Sequence, residues 1–443
     1  MKISFISLGC PKNLVDSEVI LGLLKENGFD ITEDTVRAEI IVINTCGFIE
    51  SAKEESIRVI LETAELKKTG VLRYLVVAGC LAQRYSEDLF RDLPEVDGII
   101  GTDCFTDIIP FLQKITAGKR LIHLQRDLPL PTENKRVLTT PGHYAYLKIA
   151  EGCSNCCSFC SIPLIRGPYV SRSYADVMAE ARDLVDRGVK EIILIAQDTT
   201  QYGYDLEGKF LLPKLLRELN DLPGLRWLRV MYMYPNNFSD ELIECFATLP
   251  KLLKYIDIPL QHASERLLQD MNRHASYKDV CTLLDKLRDR VPGIVIRTTF
   301  IVGFPGETED DFQELCDFVK KYRFDNAGVF KYSQEEGTVA GQREDQVPED
   351  IKENRYDTIM SLQAKISEEL HKESKGQVVE VVVEGYDPDE ENLAYGRSYR
   401  EAPDIDGSVF IENAVGLKTG DFVRVRIEEG FTYESVGSLE EKG

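Results

Sequence analysis

Tyr144-Ala145-Tyr146-Leu147-Lys148-Ile149 runs through Ala150-Glu151-Gly152 into Cys153-Ser154-Asn155-Cys156-Cys157-Ser158-Phe159-Cys160. The first six residues read as a strand. The last eight form a loop that holds Cys153, Cys157 and Cys160 in a C-x3-C-x2-C spacing. Using Cys156 instead, with Cys153 and Cys160, would reverse that order, so Cys156 reads as a bystander. Clusters of the [4Fe–4S] type normally take four Cys ligands. Three thiolates leave one iron open, and an open metal position is where chemistry happens, whereas a structural site is closed. The spacing therefore points to an enzyme that splits S-adenosylmethionine (SAM) homolytically, in preference to a ferredoxin-like or zinc site.

Beyond the loop, apolar β-branched runs recur at 191–195, 225–233, 255–258, 294–297 and 326–330, with helical patterns such as 174–187 and 311–322 between them. Together with 144–149 they predict six βα units, an α/β fold closing into a partial (β/α)6 barrel. Such barrels carry their active site at the carboxyl ends of the strands. Gln197 follows the second strand, Arg229 lies in the third, Gln261 follows the fourth and Arg297 lies in the fifth. SAM is a zwitterion at its methionine end, so arginine and amide groups at those places are candidates to hold it. In Ile301-Val302-Gly303-Phe304-Pro305-Gly306-Glu307-Thr308, Gly303 would let backbone approach the ribose and adenine. Phe159 is a candidate to lie against the adenine ring. Each of these also has a plain reading: a structural role for the arginines and amides, a glycine turn after a strand, a packing ring under the loop.

The first ~125 residues show the same alternation and read as a parallel-sheet α/β domain. Strands at 3–8, 39–44 and 74–78 each run out at a cysteine: Cys10, Cys46 and Cys80. The separations are 36 and 34 residues, one βα unit each. Ligands in open α/β sheets bind outside the carboxyl ends of the strands, so three distant thiols should converge on one edge. They are candidates to hold a second cluster, again with one iron free. The stretch 127–134, with Pro129 and Pro131, reads as a linker, and Pro141-Gly142 follows. A polar helix at 349–375, with Ile351, Ile359, Leu362, Ile366 and Leu370 on its apolar side, leads to roughly 65 residues of short strands and turns, a small antiparallel β-barrel. The expected domains are 1–126, 140–374 and 376–443. Cys245, Cys281 and Cys316 lie in helical patterns and read as core thiols; Cys104 fits no pattern.

The chain has 443 residues, 43% of them hydrophobic, enough for about three domains with cores of their own. Its N-terminus reads as a strand and not a signal peptide, and no apolar run approaches the ~18 residues of a membrane span. Eleven cysteines with this spacing fit a reducing, cytoplasmic location. The net charge of −22 biases the protein away from nucleic acid and toward basic partners.

The order of these parts resembles the radical-SAM methylthiotransferases along essentially the whole chain. In that family Cys10, Cys46 and Cys80 correspond to the ligands of an auxiliary cluster, Cys153, Cys157 and Cys160 to those of the radical-SAM cluster, and the C-terminal barrel to a substrate-binding TRAM domain. The resemblance implies two [4Fe–4S] clusters, SAM, an external electron donor and a sulfur donor or helper protein. Ser7-Leu8-Gly9-Cys10-Pro11-Lys12-Asn13-Leu14-Val15-Asp16-Ser17-Glu18 and Ala196-Gln197-Asp198-Thr199-Thr200-Gln201-Tyr202-Gly203 resemble the branch that modifies the β-carbon of an aspartate in protein 12 of the small ribosomal subunit. The nearer alternative is a tRNA adenosine methylthiotransferase; one of another class is a non-catalytic iron–sulfur electron carrier. From 376 to 443 there are 6 Lys and Arg against 16 Asp and Glu. A tRNA-binding barrel should be basic, so nucleic acid is not the expected direct target. An acidic barrel suits a basic ribosomal protein.

Overall fold

The computed structural model describes residues 1–102, 104–124 and 136–440. The expected linker at 127–134 lies outside the described residues. At the N-terminus a parallel sheet takes the order Asp30–Ile31, Lys2–Ser7, Ile40–Thr45, Tyr74–Ala78, Gly98–Ile100, Leu121–His123. Ile40–Thr45 is buried at every position because helices cover both faces. On one side Ile3, Val42 and Val76 pack against Ile20, Leu24 and Phe111. On the other Ile41, Ile43 and Val77 pack against Ile60, Ala64 and Leu81. The three strands read from the sequence are the long central ones. The other three span only two or three residues, too few for an apolar run to stand out.

The central domain carries six parallel strands in chain order: Tyr144–Lys148, Glu191–Ile195, Trp227–Val230, Leu252–Asp257, Val295–Val302 and Asn326–Lys331. The first and last do not pair with each other, so the barrel is open. The third strand is shorter than its apolar run. It ends where Tyr232 turns to φ +58, with its N–H donated to Asp257 Oδ2 at 2.9 Å. Leu147, Leu194, Leu228 and Ile256 face the outer helices. Tyr146, Ile193, Ile195, Met231 and Tyr255 line the inner face, and both flanking domains pack onto it, through Val15 from the N-terminal side and Val382 and Ala402 from the C-terminal side. The helix Glu349–Glu373 buries Ile359 and Ile366 against the barrel, while Ile351, expected on the same side, stays 39% exposed.

The C-terminal strands close into a barrel in the order Val378–Tyr386, Ala394–Arg397, Val409–Glu412, Ser435–Leu439, Phe422–Gly430. One pairing corrects the antiparallel expectation: Val409–Glu412 runs parallel to Ser435–Leu439. Directions cannot alternate all the way round a ring of five, so closure requires a parallel pair. The other four pairings are antiparallel.

Buried charges hold this small barrel to the central domain. Glu191, 1% exposed, accepts from Arg229 Nε at 2.9 Å and from Arg397 Nη2 at 2.9 Å. Arg229 also donates to the Tyr399 carbonyl at 3.1 Å, and Tyr255 donates its hydroxyl to Asp406 at 2.6 Å. Burial alone would raise the Glu191 carboxyl, but Arg397 and Arg229 hold it below the usual range. Its folded value is depressed, so its stabilisation is complete above the unfolded value of about 4.5 and is lost as pH falls through the lower folded value. Glu191→Gln leaves two buried guanidinium groups short of an anion. It should cost about 3–5 kcal/mol, measured as a lower denaturant midpoint for the C-terminal transition at pH 7, with the gap to wild type closing at strongly acid pH.

Candidate metal centres

The loop from Cys153 to Cys160 is gripped from several sides. Cys153 N–H donates to the Gly167 carbonyl at 3.1 Å, and Ser158 N–H to the Met271 carbonyl at 3.0 Å. Asn272 Nδ2 donates to the Cys156 carbonyl at 2.8 Å. Asn155 Nδ2 donates to Asp198 Oδ2 at 2.8 Å, and Asp198 also accepts from both the backbone and the hydroxyl of Thr200. Asp198, at the end of the second barrel strand, thus ties the loop to the sheet. Arg273, stacked 4.0 Å from the Tyr234 ring centroid, reaches Cys157 Sγ at 3.7 Å. Burial pushes the Cys153 thiol up to about 11 and Cys160 higher still, with the neighbouring Cys157 adding to both. Such thiols stay protonated until a metal displaces the proton. Cys156 is exposed, with its backbone at φ +49.

Cys10, Cys46 and Cys80 lie close enough to act on one another electrostatically. Cys10 caps the helix Pro11–Glu26, Cys46 follows Ile40–Thr45 directly, and Cys80 lies in the first turn of Gly79–Arg84. Close approach of these loops demands glycine at two points. A Cβ on Gly9, at φ +89, would stand 2.9 Å from Cys46 Cβ; one on Gly79, at φ +91, would stand 2.2 Å from Asn44 Oδ1. Asn13 stitches the loops together: its Nδ2 donates to the carbonyls of Leu8 and Thr45 at 3.1 and 3.0 Å, and its Oδ1 accepts from Cys80 Sγ at 3.5 Å. Burial pushes Cys80 up to about 12 and also raises Cys46. Cys10 goes the other way: burial opposes ionisation, but Lys12 and Arg166 outweigh it.

Arg166 comes from the central domain. It donates to Asp16 at 3.0 Å, to Glu151 at 2.9 Å and to Asn13. Lys148 meets the same two carboxylates, Glu151 at 2.6 Å and Asp16. Two cations and two anions so form a closed ring between the domains. No local sequence signal marks it, because Asp16 stands 132 and 150 residues from its partners. Among the described residues no three His, Cys, Asp or Glu side chains close round a single ion. Thiols are the donor chemistry that iron–sulfur clusters take, and both trios consist of thiols alone.

The remaining candidates divide. Gln197 donates to Glu151 at 3.1 Å, and its buried Oε1 has no hydrogen-bond partner. Phe159 packs against the cluster containing Met271, Ile301 and Phe304. Gln261, at φ +73, bridges to the fifth strand at Phe300. Gly303, at φ +73, has Lys352 where a Cβ would be, 2.2 Å away, and donates its N–H to Glu307. Arg229 and Arg297 are taken up elsewhere. The first is fully buried on Glu191 and the C-terminal region. The second donates to Asp257 at 2.8 Å and lies 3.4 Å from Asp406. Neither guanidinium is free to hold a methionine carboxylate. Cys104, Cys245 and Cys316 are buried in apolar clusters.

Residues 2–101 match the Uncharacterized protein family UPF0004, 147–319 the Radical SAM superfamily and 376–439 the TRAM domain. The fold is shared with the radical SAM methyltransferase TsrM of Kitasatospora setae, solved with cobalamin and a [4Fe-4S] cluster bound, at a TM-score of 0.56 over 77% of each chain and 16% identity. The chain is 49% identical, over 99% of both sequences, to the ribosomal protein uS12 methylthiotransferase RimO of Desulforamulus reducens. It is 48% identical to that of a Thermoanaerobacter species over 98% of this chain and 99% of the relative. Sharing close to half its residues with such relatives over nearly its whole length, the chain belongs to the RimO family of radical-SAM methylthiotransferases.

Proposed function

We propose that the chain transfers a methylthio group to the β-carbon of an aspartate in ribosomal protein uS12. The reading is carried by near-half identity, over almost the full length, to enzymes named for that protein. Cys153, Cys157 and Cys160 would hold one [4Fe–4S] cluster, and Cys10, Cys46 and Cys80 the other. When bound, the first cluster with SAM would supply radical abstraction of an unactivated hydrogen, and the second would supply the sulfur. Asp198 and Asn155 orient the first thiol loop. Gln197, Gln261, Gly303 and Phe159 are the candidates to line the SAM site, with the unpartnered Gln197 Oε1 available to an ammonium donor. Arg166 sets positive charge beside the second trio. An electron donor and a sulfur source are required from outside the chain. Among the described residues no helix is long and apolar enough to cross a membrane, and the cytoplasm, where ribosomes are made, is the proposed location.

The charge of the TRAM barrel separates this reading from tRNA modification. Its 16 acidic and 6 basic residues repel a phosphate backbone and attract a basic protein. Incubation with uS12, SAM, sulfide and reductant should add one methylthio group to one aspartate, localised by mass spectrometry, while tRNA treated in parallel stays unmodified. Modified tRNA with unmodified uS12 would reverse the assignment. Production of 5′-deoxyadenosine from SAM excludes a mere electron carrier. Cys46→Ala should abolish methylthio transfer and leave SAM cleavage at least partly intact. Complete loss of cleavage, in a folded variant still holding the Cys153 cluster, would count against the division of labour between the two trios.

A further inference from the structure

Lys12 is a buried cation with no carboxylate in direct contact among the described residues. The residue is only 7% exposed, and lysines are rarely buried unless paired. Among the described residues its Nζ makes no hydrogen bond or ion pair; its one close partner is the ring of Tyr232, 3.1 Å from the centroid. The anionic groups that act on it are the Cys10 sulfur first, then the carboxylates of Asp257 and Glu151. Both carboxylates are already engaged, Asp257 by Arg297 and the Tyr232 N–H, Glu151 by Arg166 and Lys148. The ammonium therefore has attractive neighbours but no direct acceptor.

Its location matters as much as its charge. Lys12 stands two residues after Cys10, on the face where the N-terminal helix meets the inner side of the barrel. Tyr232, which holds it, is a non-glycine residue at φ +58 at the end of the third barrel strand. Backbone conformations of that kind carry a cost and persist where the surroundings enforce them. Here Asp257 fixes the Tyr232 N–H, and Arg297 fixes Asp257. The chain Arg297–Asp257–Tyr232–Lys12 thus holds an ammonium group between the Cys10 trio and the barrel interior.

We infer that Lys12 binds the side-chain carboxylate of the substrate aspartate and selects for it; this rests on the uS12 reading above. The carboxyl carbon of aspartate is bonded directly to the β-carbon that receives the methylthio group. A cation gripping that carboxylate beside Cys10 therefore fixes the reacting carbon one bond away. A charge-assisted hydrogen bond to an ion is about twice as strong as a neutral one, so an amide in place of the carboxylate should bind less well. A rival role for Lys12 is to neutralise the nearby thiolates, and it predicts no preference between aspartate and asparagine.

The test measures binding of uS12, and of uS12 with the modified aspartate changed to asparagine, to the cluster-loaded enzyme without reductant, so that no turnover occurs. Wild type should favour the aspartate form by roughly 10- to 100-fold. Lys12→Gln should bring the two forms to within about threefold, and Lys12→Arg should retain most of the preference. A Lys12→Gln enzyme with wild-type iron content and an undiminished preference overturns the assignment. So does a wild-type enzyme that binds both forms equally, which leaves uS12 standing as the substrate. A wild-type enzyme that binds neither form overturns the substrate reading and the assignment with it. Where Lys12→Gln does not hold wild-type iron, carbodiimide cross-linking of uS12 to the wild-type holoenzyme decides. The expected amide joins the target aspartate to Lys12; a cross-link from that aspartate to another lysine, or none, overturns the assignment.

Discussion

The ring of Arg166, Lys148, Asp16 and Glu151 fixes the two thiol sites relative to each other. Each carboxylate meets both cations, so the group is neutral as a whole although every member is largely buried. A single charge so placed would cost several kcal/mol, and loss of any one member would leave the others unbalanced. The four residues also belong to the elements that matter. Asp16 lies on the helix that begins after Cys10, Lys148 and Glu151 lead into the Cys153 loop, and Arg166 leads out of it. An apolar contact tolerates sliding; four charge-assisted contacts in one ring do not. Burial alone would raise the Glu151 carboxyl, but Arg166 and Lys148 hold it far below the usual range, so Glu151 stays ionised throughout the neutral range.

Much of this was legible in the sequence. Cys10, Cys46 and Cys80 stand at strand ends because parallel sheets bring their carboxyl ends to one edge, and their spacing of about one βα unit suggests that without coordinates. The six central strands were visible for the same reason: buried parallel strands are continuously apolar. What could not be read depends on partners far apart in the chain. Arg229 and Arg297 sit in barrel strands, where an arginine invites assignment to the ligand. Only the folded chain shows Glu191 and the C-terminal carbonyls receiving one, and Asp257 and Asp406 the other. Gly303 needs glycine whether or not a ligand is present, since its φ of +73 and the crowding of Lys352 already require it.

The same redistribution of arginines sharpens the character of the TRAM barrel. Arg397 is buried between Glu191 and Glu384, and Arg400 turns to Asp325 of the central domain. Arg424 and Arg426 both pair with Glu440. Among the described residues of the barrel that leaves Lys418 as an exposed cation outside these pairs, against exposed Asp389, Glu390, Glu391, Glu412, Glu428 and Glu429. Affinity for a nucleic acid comes mainly from several cations meeting phosphates at once. The positive charge that composition credits to the barrel is used in holding it to the central domain and in pairing within itself, so the face it presents to a substrate is more acidic than its residue count implies.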